Sequence, residues 1–202
     1  MRNLIFRIWG KCILGLTGWK VVGAEGELPP KCVVVAAPHT SNFDFFIARS
    51  AFEILDMPVR FTIKKEWMGF PLGWLLRALG AIAIDKSVRS GEKKGSSVEE
   101  MAALFQEHDK LAILVTPEGT RSLRTEWRTG FYHVAKLAKV PLVLGYLDYQ
   151  KKEAGIGRII YPGEDMHADM VSIMQFYSGV KARFPEKFSV DLRYSGPNLP
   201  AG

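Results

Sequence analysis

Apolar and polar positions alternate along this chain with two different periods, and the period changes wherever turn residues fall. In residues 1–20, Leu4, Ile5, Ile8, Trp9, Cys12, Ile13 and Leu16 recur at helical spacing on one side, with Asn3, Arg7, Lys11 and Gly18 on the other; this predicts an amphipathic basic helix. A short strand at 19–23 and a turn at 26–30 lead to the β-branched run 32–35, part of a buried-strand signal over 32–37. A helix is expected over 42–55, broken by Met57-Pro58, then a strand over 59–63. The aromatic segment 67–76, with Pro71 placed to start a helix, precedes a strand at 81–84. A helix at 97–108, a strand at 111–115, a helix at 130–139, strands at 140–146 and 156–161 and a last long helix at 165–184 continue an α/β rhythm, with a frayed end from Ser195.

Composition narrows the class. With 202 residues, 48% hydrophobic and 24% charged, the chain fits one globular domain with a substantial core. The net charge of +6 favours an acidic partner: nucleic acid, an anionic membrane or a phosphorylated metabolite. Nucleic acid is not expected, because the basic residues are dispersed and zinc-finger, ribonucleoprotein and basic-region signatures are missing. Cys12 and Cys32 have no CxxC or Cys/His context and read as core or interface thiols, in keeping with a reducing compartment. His108, His133 and His167 lack metal-ligand spacing and read as surface or packing residues, and no metal is expected.

No apolar run reaches the roughly 20 residues that span a bilayer. The 1–20 helix suits a membrane interface, or equally its apolar face packs on the core. Trp67, Phe70 and Trp74, flanked by Lys64, Lys65 and Arg77, have an interfacial composition that would contact lipid or line an acyl groove; a buried core helix is the competing reading.

Two stretches carry candidate chemistry. In Ala37-Pro38-His39-Thr40-Ser41-Asn42-Phe43-Asp44, His39 and Asp44 would face about 140° apart on one helix, so a strand–loop–helix turn must bring them together. A carboxylate there would orient the imidazole and leave its other nitrogen free to act as a base. The competing reading makes Ser41-x-x-Asp44 a helix capping box with His39 a bystander. The second stretch is Thr116-Pro117-Glu118-Gly119-Thr120-Arg121 after the 111–115 strand. Gly119 permits close backbone approach and Arg121 offers a planar fork of donors, a combination suited to phosphate. Glu118 would hold Arg121 or orient an acceptor, although Pro-Glu-Gly is also an ordinary turn. The polar loop 91–97 lacks the residue order of a P-loop.

Together these residues resemble a known family. His39 to Asp44 is similar to the HxxxxD signature of the glycerolipid (lysophosphatidic acid) acyltransferase superfamily. Gly80-Ala-Ile-Ala-Ile-Asp85-Lys86 resembles its second block, Pro117 to Arg121 its third and Val140-Pro141-Leu-Val its fourth, in the family's order. The resemblance implies a mixed, mostly parallel sheet flanked by helices, with residues 21–202 as the acyltransferase domain and 1–20 as a membrane-interface helix. It implies transfer of a fatty acyl group from a coenzyme A or acyl carrier protein thioester to the hydroxyl of a lysolipid in phospholipid biosynthesis. The enzyme would need no cofactor and would be peripheral on the cytoplasmic face of a membrane. On that reading His39 is the base and Asp44 its orienter, while Lys86, Glu118, Gly119, Thr120 and Arg121 bind the acceptor. Trp9, Trp67, Phe70 and Trp74 then meet lipid or the acyl chain. The chain departs from the family pattern at Ala83, where an aromatic is usual, and at Lys86, where arginine is usual. Lysine keeps the charge but not the bidentate fork. The first-choice acceptor is therefore 1-acylglycerol-3-phosphate, with a lyso-amino acid lipid as substitute. A thioesterase and a non-enzymatic lipid-binding module are the other classes open to this sequence.

Overall fold

The computed structural model describes residues 4–23, 27–69, 72–78, 80–84 and 97–195. Its strands are β1 (Lys20–Val22), β2 (Lys31–Ala36), β3 (Val59–Lys64), β4 (Ala81–Ile84), β5 (Leu111–Val115), β6 (Leu142–Asp148) and β7 (Glu153–Ile160). They form one sheet in the order β1-β7-β6-β2-β5-β3-β4. Every neighbouring pair is parallel except β6 and β7, which run antiparallel. The helices are α1 (Leu4–Thr17), α2 (Phe43–Ile54), α3 (Leu72–Ala78), α4 (Ser97–Glu107), α5 (Gly130–Ala138) and α6 (Met166–Ser178).

β2 is the middle strand because it can be solvated on neither face. Cys32, Val33, Val34 and Val35 are all fully buried, as expected of a parallel strand covered on both sides. Burying each valine stabilises the fold by about 1.5–3 kcal/mol. On one face Val33, Val35, Ile113 and Leu144 pack with Phe105 of α4, Phe131 of α5 and Ile173 of α6. On the other, Cys32, Val34 and Val143 pack with Phe52 of α2, and α1 lies outside α2. The expected α/β domain with a mixed, mostly parallel sheet is what the chain forms.

Several boundaries move for local reasons. β6 starts at Leu142 rather than 140 because Lys139 closes α5 in the left-handed conformation (φ 55°) and Pro141 has no N–H for the ladder. β7 begins at Glu153, three residues earlier than the alternation predicts. α6 stops at Ser178 instead of running to 184. Beyond it the backbone finds partners elsewhere: the Lys181 carbonyl accepts the Tyr149 N–H (2.9 Å), and the Phe184 N–H reaches Thr40 Oγ1 (3.3 Å).

α1 packs differently from its apolar pattern. Its contact face is the narrow one carrying Gly10 and Leu14, and a Cβ on Gly10 would stand 3.2 Å from the Ser50 carbonyl oxygen of α2. Ile8, Trp9, Cys12 and Leu16 point outward, with Leu16 90% exposed. Cys12 is therefore an exposed thiol rather than a core one, whereas Cys32 is buried and its thiol is pushed up to about 12 by burial. Trp74 on α3 is exposed, Trp67 sits in a 3-10 turn (Lys65–Met68), and Phe70 and Lys86 lie outside the described residues.

Candidate active site

β5, β2 and β6 are parallel neighbours, so their C-terminal ends open on the same edge of the sheet, where α/β folds place their ligands. Each delivers a polar residue to one spot: Glu118 follows β5, His39 follows β2 and Tyr149 follows β6. The sequence reading places the first two there and misses the third.

Asp44 stands in the first turn of α2, only 3% exposed. Its Oδ2 accepts the Thr40 and Ser41 backbone N–H groups (2.9 and 2.8 Å) and lies 3.4 Å from His39 Nδ1. Its Oδ1 accepts the Tyr149 hydroxyl at 2.5 Å. Geometry from both readings of this stretch is present: the carboxylate reaches back to the Ser41 backbone N–H, as one half of a capping box does, although the helix N-cap is Asn42, and the same carboxylate faces the imidazole. Burial alone would raise the Asp44 pKa, but the donors from His39, Tyr149 and Ser41 outweigh it and hold the carboxyl below its ordinary range. An ionised carboxylate only accepts, so the Nδ1 facing it carries hydrogen and Nε2 keeps its lone pair. The 3.4 Å approach is loose, as the hydrogen bonds of unliganded catalytic pairs often are.

Glu118 behaves in the opposite way. Its carboxyl is 6% exposed and accepts the backbone N–H of His39, at 3.0 Å to Oε2 and 3.3 Å to Oε1. Burial, with the Asp44 charge adding to it, pushes its pKa up to about 8 against the pull of that N–H. It is therefore mostly neutral at pH 7, and it braces the His39 backbone rather than serving as the partner of Arg121 that the sequence allows.

The Glu118 loop is held from a distance. Gly119 adopts φ +66°, which a side chain would strain, and the Arg128 guanidinium lies over it, 3.1 Å from where a Cβ would sit. The Arg128 N–H donates to the Pro117 carbonyl (2.9 Å), closing the loop on itself. Next to it Trp127 is buried, its N–H bonded to Asp191 Oδ2 (3.0 Å) and its indole to the Ser189 carbonyl (3.0 Å), and Arg193 pairs with the same Asp191 at 2.7 Å. Arg121 is exposed, and Thr120 Oγ1 accepts the Ser122 N–H. Arg128 and the Asp191 anchor escape the sequence reading because they lie outside the motif; Trp-Arg before a helical glycine is the only local hint.

Several backbone N–H groups beside the imidazole already have partners: Thr40 and Ser41 donate to Asp44, and the Gly119 N–H donates to the Thr116 carbonyl (3.1 Å). Arg183, arriving from beyond α6, puts Nη1 3.3 Å from Ser41 Oγ and stacks over Phe43 at 5.0 Å. Among the described residues no group of His, Cys, Asp and Glu is arranged to hold a metal ion, and no helix is long and apolar enough to cross a membrane.

A pocket of about 200 Å³ adjoins His39 and Asp44 and runs between α2 and the sheet, walled by Phe45, Ala48, Phe52, Phe61 and Leu114. Gly145 keeps one wall flat, since a Cβ there would stand 3.2 Å from Val34 Cγ1 and 3.6 Å from the Phe52 ring. Small-molecule sites usually enclose about 300–1,000 Å³, so this space suits a narrow apolar chain better than a whole lipid.

Comparison with known proteins fits this arrangement. The crystal structure of the 1-acyl-sn-glycerophosphate (LPA) acyltransferase PlsC from Thermotoga maritima superposes with a TM-score of 0.53 over 82% of this chain and 75% of that one. At 18% identity, that likeness speaks for the fold alone. A Mycoplasma pneumoniae protein named probable 1-acyl-sn-glycerol-3-phosphate acyltransferase is 30% identical over 152 residues, covering 69% of this chain. The chain spans only 56% of that relative's length. Finally, the family model described as Acyltransferase matches residues 20–144, which contain both reaction loops and most of the sheet, and the chain belongs to that acyltransferase family.

Proposed function

We propose that the chain moves a fatty acyl group from a coenzyme A or acyl carrier protein thioester to the free hydroxyl of a lysolipid, with 1-acylglycerol-3-phosphate as acceptor. The observation that carries this reading is an imidazole with an Asp-oriented Nδ1 at the edge of a narrow apolar pocket. His39 Nε2 takes the hydroxyl proton as the acceptor oxygen attacks the thioester carbonyl; the tetrahedral intermediate collapses, the C–S bond breaks and the imidazolium returns the proton to the leaving thiolate. The pocket takes the acyl chain. Arg121 and Arg128, both exposed beside Gly119, offer guanidinium forks to the acceptor's phosphate.

The outward apolar residues Ile8, Trp9 and Leu16 of α1, Trp74 of α3 and Phe46 of α2 support a peripheral seat on the cytoplasmic face of a membrane, since such residues gain by entering the interface and a net charge of +6 attracts anionic headgroups.

The test is a panel of lysolipids incubated with acyl-coenzyme A and acyl carrier protein donors, read by product mass, for wild type and His39→Ala. New ester should form with a phosphorylated lysolipid, and His39→Ala should lower its rate by about 10²–10⁴. Activity within a few-fold of wild type in that variant would sink the role of His39. Thioester cleavage that needs no acceptor would instead make the protein a hydrolase.

A further inference from the structure

We propose that Tyr149 is a positioning residue of the reaction centre, holding Asp44 and through it setting the orientation and basicity of His39. This inference rests on the acyltransferase reading and deepens it.

Tyr149 lies 105 positions from Asp44 in sequence, yet its hydroxyl donates to Asp44 Oδ1 at 2.5 Å. The backbone N–H groups of Thr40 and Ser41 both bind Oδ2, the oxygen that faces His39. Oδ1 is thus fixed from the far side of the site by Tyr149. A carboxylate pinned at one oxygen can still rotate about its χ2, and the hydroxyl fixes that rotation, so Oδ2 stays aimed at Nδ1.

The tyrosine ring is itself held. Trp19 packs edge-on against it at 4.8 Å between centroids, its backbone N–H is bonded to the Lys181 carbonyl, and it belongs to the cluster of Leu14, Ile47 and Leu147. The ring therefore brings to Asp44 the packing of α1, α2 and β6 together. Burial and the neighbouring carboxylate keep the phenol protonated, so at every working pH it remains a donor.

The charged groups around Asp44 fix the sign of a pH effect. His39 faces it from the loop after β2 and Glu118 couples to it from the loop after β5, while Arg183 from the segment after α6 lies 6.0 Å over the Tyr149 ring and Arg49 on its own helix is paired with Glu53. Tyr149→Phe keeps the ring and removes one donor that stabilises the anion. Asp44 then binds its proton more tightly, and its denser charge holds the imidazolium more tightly. The tighter hold on the imidazolium moves the acid limb of kcat/KM to higher pH.

The experiment measures Tyr149→Phe for kcat, for KM of both substrates, for the pH profile and for the ¹⁵N resonances of His39. The expected result is a fall in kcat of about tenfold with each KM within about twofold, the size of losing one hydrogen bond to a charged group. The acid limb should move to higher pH, and the His39 nitrogens should titrate at higher pH as well. An unchanged kcat overturns the proposal, and so does a reduced kcat with the acid limb and the His39 titration left in place, because a merely structural ring would give that pattern. His39→Ala measured alongside separates the two levels: if it retains transfer, the acyltransferase mechanism fails, whereas if it abolishes transfer while Tyr149→Phe is silent, only the role of Tyr149 fails.

Discussion

Two buried carboxyls flank His39, one from each side, and they are tuned in opposite directions. Asp44, in the loop and helix after β2, collects four donors and stays charged; Glu118, in the loop after β5, has one backbone N–H and is pushed up to about 8. Both are almost wholly buried, so burial does not separate them. The number of donors does, and the charge kept on Asp44 raises Glu118 further. The side with the charged acid orients an imidazole, and the side with the neutral acid stiffens a loop whose exposed arginines face solvent.

Removing the charge on the first side should have the larger effect. Asp44→Asn leaves an amide that cannot accept from Thr40, Ser41, Tyr149 and His39 together, and kcat should fall by about 10²–10⁴ with little change in KM. Steady-state kinetics check this, and a loss under tenfold would erase the contrast between the two acids.

On the second side the effect should appear in binding. Arg121→Ala should raise KM for a phosphorylated acceptor about tenfold and leave the thioester KM alone, the loss of one charge-assisted contact. Equal effects on both substrates would take Arg121 out of the phosphate contact.

The smallest effect sharpens the comparison through pH. Glu118 has a folded pKa raised from 4.5 to about 8, so the stability linked to it is fully present below 4.5 and is lost as pH rises through about 8. Asp44 is lowered, so its contribution is present above its ordinary 3.8 and is lost as pH falls below that. Glu118→Gln should flatten the decline in thermal midpoint between 4.5 and 8 and change kcat by only a few-fold at pH 7. Thermal melts across that range decide it.

The sequence made the central strand and its histidine legible because both are local. The β-branched run Val33 to Val35 reads as a buried strand, and Pro38 with Thr40 to Asn42 as a turn. The α/β order followed from the same kind of signal. What escaped was set by distance: Tyr149, Arg128 and Arg183 reach the site only once β6, α5 and α6 are in place, and no spacing within a motif encodes them. α1 shows a different limit. Its apolar pattern identified a helix and an apolar face, but Gly10 chose the packing face, because the absence of a side chain lets α2 come close.

Asp191 ties Trp127 from 64 positions downstream, whereas the His39–Asp44 contact is closed within six residues of its own stretch. A protease cut between Lys187 and Asp191 would therefore act on the segment carrying Arg128 while leaving the covalent stretch from His39 to Asp44 whole. On the proposed mechanism, such nicked molecules would keep the imidazole–carboxylate pair and lose order first around Arg128.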